Sequence, residues 1–198
     1  MTIRTILVLL LFGATSCGDF GRRWSDYIEY KFNSKNSVYW TREQMITSDL
    51  FVGEPRNDGT YYAYFGVNFL WDKGDKLKFN IRIFFDKKKS WIKPESEWGD
   101  YPGQFHQVPK LLKLKFDYLE FGARRLRKYL TEKNEELNDD NVKHAVDSHW
   151  DKAYQEWTEI QRELGDDISD SKLNPVREMV DKKLQELVDF DTKVNSDL

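Results

Sequence analysis

Alternating hydrophobic and polar positions predict a β-hairpin in the first half of the chain. Every second residue of 61–71 is apolar, and the same alternation runs through 77–85, where lysine, asparagine and arginine lie between the apolar positions. A period of two indicates strands with one buried face and one solvated face. Residues 72–75 are predicted to join the two runs as a tight turn, for which Gly74 is free to take positive φ. A third, short strand is predicted over residues 37–41.

The second half of the chain has a helical period instead. Three stripes of apolar residues recur at steps of three and four, which is typical of helices with one buried face. The first begins near Pro109, the second ends at Gly165, and the third begins at Pro175. Residues 87–103 have no such period and are expected to form a loop. The pattern predicts an α+β fold, with a small antiparallel sheet built on the central hairpin and followed by three helices. The first stripe comprises Leu112, Phe116, Leu119, Ala123, Leu126 and Leu130.

Residues 1–16 have the pattern of a secretory signal peptide. A single basic residue, Arg4, precedes the apolar run 6–12, and small residues follow it. The run is shorter than the ~20 residues that span a bilayer, and it matches the hydrophobic part of a signal peptide. Small residues ending at Cys17 resemble the lipobox of bacterial lipoproteins, in which the cysteine is lipidated and the signal is cut before it. The alternative is ordinary cleavage near Ser16, with Cys17 left as a free thiol.

The signal peptide sets the expected organisation and location of the chain. The expected segments are a signal peptide (1–16), a lipidated tether (17–36) and one α+β domain (37–198) with a β part (37–100) and a helical part (104–190). The membrane is then a partner through Cys17, since several acyl chains anchor a protein stably. Gly18 rather than aspartate follows this cysteine. By resemblance to lipoproteins, that residue indicates the outer membrane of the cell envelope.

Composition excludes several classes of protein. The 198-residue chain carries a formal net charge of -3 and 15% aromatic residues, and its mean hydropathy is -0.74. These values exclude a polytopic membrane protein and a disordered chain. General nucleic-acid binding requires a clearly basic face, so we do not expect a nucleic-acid partner. The single cysteine excludes a disulfide framework.

Few side chains form a pattern with chemical meaning. His144 and His149 are predicted on one helix, where five positions turn the side chains about 140° apart. They therefore cannot chelate one metal ion without other ligands. His106 has no second ligand nearby in the sequence. The sequence contains neither a glycine-rich phosphate loop nor a nucleophile elbow.

A basic cluster and two tryptophans each allow more than one interpretation. The cluster at 124–128 is a solvated helix face or a set of partners for the acidic second helix, and both are favoured over a lipid or nucleic-acid site. Trp91 and Trp98 suit either stacking on a sugar or packing within the hairpin. The basic cluster comprises Arg124, Arg125, Arg127 and Lys128.

Three segments, taken in order, resemble one bacterial family. The segment 49–55 (DLFVGEP), with Trp40 before it, is similar to a "W…DF-x-G-x-P" motif, and 85–92 (FDKKKSWI) is similar to an "F-x-x-x-x-SW" motif. The family comprises exported, often lipidated proteins, is catalogued as a domain of unknown function and is described as secreted HExxH zinc proteases. The resemblance covers residues 38–187. The latter part of the family's helical motif, HFD-x-x-E-x-x-A-R-x-L-R, is matched by Phe116, Asp117, Glu120, Ala123, Arg124, Leu126 and Arg127.

The resemblance implies a zincin-like scaffold, but the side chains that would bind zinc differ. Aligned on the helical motif, the family's two zinc histidines fall on Leu111 and Lys115. Its catalytic glutamate falls on Leu112, and its third histidine falls near Asp170. Zinc hydrolysis needs neutral imidazoles one helical turn apart and a carboxylate that deprotonates the bound water. The sequence therefore predicts a degenerate peptidase-like domain with no metal, no other cofactor and no catalysis.

Three functions are compatible with this interpretation. The favoured one is a non-catalytic lipoprotein that binds a peptide or an envelope protein, for example by β-augmentation at a strand edge of the hairpin. The second is an active hydrolase with another arrangement, for example Asp170 with His106 or Glu120. The third is a carbohydrate-binding or structural module of the envelope that uses Trp91 or Trp98.

Overall fold

The computed structural model describes residues 35–57, 59–73, 77–99, 102–166 and 168–191. The predicted signal peptide, the predicted lipidation site Cys17 and nearly all of the tether lie outside these residues. Residues 74 and 75 of the predicted hairpin turn also lie outside them, whereas residues 72 and 73 belong to a strand. Within the described part of the chain, no helix combines the length and apolar character that crossing a bilayer requires.

Three antiparallel strands form the sheet. Strand β1 spans Ser37–Tyr39, β2 spans Tyr61–Lys73 and β3 spans Leu77–Ile92. The order is β1-β3-β2, so the hairpin of β2 and β3 is central and β1 pairs with the far side of β3. The predicted small antiparallel sheet is therefore confirmed.

Strand β3 is longer than its sequence pattern indicated. The expectation of a loop from residue 87 is wrong for 87–92, which continue the strand. The pairing passes from Tyr64↔Asp86 to Tyr62↔Trp91, so two steps along β2 match five steps along β3. A β-bulge of this kind breaks the period of two, and the alternation that reveals a strand disappears with it.

Three long helices follow the sheet, as predicted. Helix α1 spans Val108–Glu132, α2 spans Asp139–Leu164 and α3 spans Asp170–Glu186, with a single helical turn at Pro102–Phe105 before them.

Local signals at the helix ends explain most of these bounds. Asn138 caps α2 by accepting a hydrogen bond from the Asn141 backbone N–H, and Gly165 ends it at a φ of 63°. The prediction that the third helix starts at Pro175 is wrong, because α3 begins at Asp170 and holds this proline inside it.

Helix α1 lies at the centre of the apolar core and contacts α2, α3 and β3. Its predicted stripe is buried, and the Phe116 ring lies 5.3 Å from the ring of Phe65 on the inner face of β2. The outer face of the sheet is not uniformly solvated. Phe84 is buried there against Gly66, where an added Cβ would come within 2.5 Å of its ring.

Candidate functional site

The three segments that carry the family resemblance contact one another in space. Trp40 Nε1 donates a hydrogen bond to Asp117 Oδ1 at 2.8 Å, which joins the first segment to the helical motif. The backbone N–H of Gly53 donates to the carbonyl of Ser90 at 2.8 Å, which joins the first segment to the second. These residues therefore hold elements of the fold together.

A stripe of charged side chains is buried along α1, one position after the apolar stripe. Glu120 is 0% exposed and lies between two arginines, with Oε1 accepting from Arg124 Nε at 3.2 Å and from Arg127 Nη1 at 2.7 Å. The interpretation of Arg124 and Arg127 as a solvated face is therefore wrong. The buried stripe comprises Lys113, Asp117, Glu120, Arg124 and Arg127.

The two buried arginines also bind backbone carbonyls of neighbouring elements. Arg124 Nη1 donates to the Leu184 carbonyl in α3 at 2.8 Å, and Arg127 Nη2 donates to the Ile81 carbonyl in β3 at 2.7 Å. Glu120 is thus the centre of a structural network. Its carboxylate is enclosed, so it is not available to a hydrolase site as the second hypothesis required.

The remaining two basic residues of the cluster behave differently. Arg125 pairs with Glu156 of α2, with nitrogen to oxygen distances of 3.0 and 2.7 Å, so the predicted pairing with the second helix is confirmed here. Burial alone would raise the pKa of Glu156, but the hydrogen bonds and charge of Arg125 lower it. Lys128 is solvent-exposed beside Glu132.

The positions that the resemblance assigns to zinc binding do not form a polar pocket. Leu111 and Leu112 are each 3% exposed and belong to the apolar core. Lys115 Nζ lies over the rings of Phe65 and Tyr154, at 5.3 and 5.1 Å from their centroids. Burial lowers the pKa of this ammonium to about 8.

Asp170, the first residue of α3, contacts a different side of α1 from the one that carries Lys115. It is exposed and accepts a hydrogen bond from Lys110 Nζ at 2.7 Å. Because Lys110 and Lys115 are five positions apart, they project about 140° from each other. The carboxylate and the Lys115 ammonium therefore do not face a common site.

The histidines are dispersed. His106 is exposed with its Nε2 3.3 Å from Glu95 Oε1, whereas Asp170 pairs with Lys110. His144 and His149 line one cavity of about 410 Å³, and His149 Nδ1 is 2.8 Å from the Ala145 carbonyl. Over the described residues, no three His, Cys, Asp or Glu side chains are grouped so that they could hold a metal ion.

Both candidate sugar-binding tryptophans are buried. Trp91 is 4% exposed and Trp98 is 5% exposed. Trp98 stacks parallel to the Tyr61 ring at 6.0 Å and donates to the Lys93 carbonyl at 3.1 Å. Neither indole presents a free face to a sugar. The prediction that these two residues stack on a sugar is therefore wrong, and the alternative prediction, that they pack within the protein, is confirmed.

The bulge in β3 is built by two buried polar residues. Asp86 Oδ1 accepts hydrogen bonds from the backbone N–H groups of Lys88 and Lys89, at 3.0 and 3.1 Å. Ser90 Oγ donates to the Asp86 carbonyl at 2.6 Å and accepts from the Tyr64 N–H at 2.9 Å. The segment that resembles the "F-x-x-x-x-SW" motif is therefore a bulge whose unpaired backbone groups are satisfied by its own side chains.

A pocket of about 620 Å³ opens beside this bulge, and sequence reasoning did not find it. Its volume is typical of sites for small ligands. The charged side chains that line it are three cations and one carboxylate, so its charge is opposite in sign to the net charge of the whole chain. The run of three lysines at 87–89 was the available signal. The lining includes Glu54, Arg56, Tyr62, Tyr64, Lys88 and Lys89.

The fold and this pocket define an α+β protein with a three-stranded antiparallel sheet, three long helices and a basic pocket at the sheet. In comparisons with known proteins, no family model, no curated protein and no solved structure matches the chain.

Proposed function

We propose that this chain is an exported, lipid-anchored protein of the outer membrane whose domain is a degenerate, zincin-like scaffold that binds a partner and does not catalyse a reaction. The observation that carries the proposal is that leucine and lysine side chains stand where the resemblance expects two zinc ligands and the catalytic glutamate. Leu111 and Leu112 are part of the core, and the ammonium of Lys115 lies between two aromatic rings. Leucine offers a metal no donor, and an ammonium repels a cation.

The contacts among the resembling segments support the scaffold part of the proposal. Asp117 holds Trp40, and Glu120 holds two arginines that bind carbonyls of α3 and β3. These roles are independent of a metal ion. These contacts involve none of the side chains of Leu111, Leu112, Lys115 and Asp170.

Binding is favoured over catalysis because the pocket beside the β3 bulge offers contacts and no reactive arrangement. The described side chains in its lining are three cations, one carboxylate, two tyrosines, Trp91 and Pro55, without a histidine or a thiol. We therefore infer that the domain recognises a component of the cell envelope, to which Cys17 would attach it.

Two measurements on the full-length protein test this function. Metabolic labelling with an alkyne fatty acid should label the wild-type chain and not the Cys17→Ser variant, and fractionation should place the labelled protein in the outer membrane. Metal analysis of the purified protein should find no stoichiometric zinc, and a peptidase assay should show no cleavage. Stoichiometric zinc together with cleavage would overturn the non-catalytic proposal, and an unlabelled wild-type chain would overturn the anchor.

A further inference from the structure

The pocket beside the β3 bulge has cationic side chains that form no ion pair with the residues that the structure describes. Lys88 and Arg56 are exposed and line the pocket, and neither has an ion-pair partner among the described residues. Lys89 Nζ, in contrast, lies 4.0 Å from Asp86 Oδ2 and 4.3 Å from the centre of the Tyr64 ring. Within the described part of the chain, the unpaired positive charge of the lining is therefore that of Lys88 and Arg56, which suits an anionic group.

The backbone that presents Lys88 is fixed before any ligand arrives. Asp86 holds the N–H groups of Lys88 and Lys89, and it is 5% exposed. Gly53, another residue of the lining, is so close to β3 that an added Cβ would lie 2.6 Å from the Lys88 carbonyl oxygen and 2.7 Å from that of Ser90. A preorganised site loses less conformational entropy when it binds, and this favours a specific ligand.

One aromatic ring is available to a ligand. Tyr62 is 49% exposed and lines the pocket, whereas the face of Tyr64 is covered by Lys89. An exposed tyrosine offers an apolar ring face and a hydroxyl, a combination that fits the faces and hydroxyl groups of a sugar. The carboxylate of Glu54 in the same lining can accept hydrogen bonds from hydroxyl groups.

We propose that this pocket binds an anionic carbohydrate, with a sugar ring against Tyr62 and its acidic group on Lys88 and Arg56. The inference rests on the proposed function, because it names the ligand class of a non-catalytic binding domain. The acidic group is a carboxylate, which pairs with an ammonium and a guanidinium.

Calorimetric titration of the full-length chain in a neutral detergent tests the ligand class. The probes are an oligogalacturonate, a neutral galactose oligosaccharide of the same length, and a polyglutamate of the same charge. We expect the acidic sugar to bind at least about tenfold more tightly than the neutral sugar, since one charge-assisted contact contributes about that factor. It should also bind more tightly than polyglutamate, which has the charge but no sugar ring to lie against Tyr62. Equal binding of the neutral sugar, equal binding of polyglutamate, or no binding by the folded protein would each overturn the proposal.

Matched variants locate the site. Lys88→Met should weaken oligogalacturonate binding about tenfold, whereas Lys172→Met, which removes an exposed lysine of α3, should leave it unchanged. Tyr62→Ala should weaken binding, and Tyr62→Phe should retain most of it because the ring remains. Equal affinities of the two lysine variants, with unchanged circular dichroism, would show that the sugar binds elsewhere.

The same experiments separate this inference from the proposed function. If the folded wild-type protein contains no zinc, has no peptidase activity and does not bind the glycan, only the proposed ligand class is overturned. Zinc-dependent cleavage overturns the proposed function whatever the titrations show.

Discussion

The indole of Trp40 and the carboxylate of Asp117 form a hydrogen bond of 2.8 Å that joins the end of β1 to the middle of α1. The second carboxylate oxygen accepts from Arg177 Nη1 of α3 at 3.1 Å. Asp117 is 3% exposed, so its charge depends on these partners and on Lys113, one turn earlier. One buried carboxylate thus connects the sheet, the central helix and the last helix.

Removing the indole donor should reveal the strength of this connection. We expect Trp40→Phe to lower the free energy of unfolding by about 1.5–3 kcal/mol, because a buried carboxylate loses a hydrogen bond. Trp98→Phe is the control, since that indole donates to the neutral carbonyl of Lys93 and should cost about 0.5–1.5 kcal/mol. Urea unfolding measures both, and equal losses would contradict a special role for Asp117.

Glu120 should be the most sensitive carboxylate of α1. Glu120→Gln removes the counter-charge of the buried Arg127 and one of the two carboxylates beside Arg124, which keeps Asp191 at 3.1 Å, and we expect a loss of about 3–5 kcal/mol in the free energy of unfolding. Glu132→Gln removes an exposed i,i+4 pair with Lys128 on the same helix and should change it by no more than about 0.5 kcal/mol. Similar effects of the two substitutions in urea unfolding would show that the buried network contributes little.

The elements that could be predicted from the sequence are those with a local period. The stripe from Leu112 to Leu130 and the alternation in 61–71 depend only on neighbouring residues, and both elements are present in the structure. The N-terminal extension of α3 before Pro175 was missed, because a proline within a helix is less common than one at its start.

The features of the candidate site depend on distant residues, and the sequence could not locate them. The charges of Glu120, Arg124 and Arg127 have the spacing of a solvated helix face. They are buried because carbonyls of Leu184 and Ile81, far away in sequence, accept from the arginines. The bulge in β3 was hidden for a related reason. Asp86 and Ser90 complete it only when β2 pairs alongside.

Lys115 should make stability depend on pH. Burial lowers the pKa of its amine from 10.5 to about 8. The unfolded chain therefore binds more protons between about pH 8 and 10.5, and the free energy of unfolding rises with pH across this window. Below pH 8 the amine is protonated in both states and the cost of burying the charge is fully present.

The Lys115→Met variant tests this dependence. It should be more stable than wild type at pH 7, by on the order of 1–2 kcal/mol, and the difference should shrink by about pH 9.5. Measurements stop there because tyrosines begin to ionise near their ordinary pKa of 10.0, and burial raises the pKa of Tyr61, Tyr118 and Tyr154. Lys128→Met, an exposed position on the same helix, is the control. A loss of stability in Lys115→Met at pH 7 would mean that the ring contacts outweigh the cost of burying the charge.

The close approach of Gly53 to β3 should make this position intolerant of any side chain. A Cβ there meets two backbone oxygens at 2.6 and 2.7 Å, and backbone cannot move aside as a flexible side chain does. We expect Gly53→Ala to lower the free energy of unfolding by about 1–3 kcal/mol. Gly103→Ala is the matched control, because an added Cβ in that helical turn meets nothing within 4 Å, so the substitution should be neutral or stabilising by up to about 1 kcal/mol.

The loop around Gly53 forms one wall of the basic pocket. Gly53→Ala should therefore also weaken oligogalacturonate binding in the chains that stay folded, whereas an unchanged affinity would show that this wall is not part of the binding site.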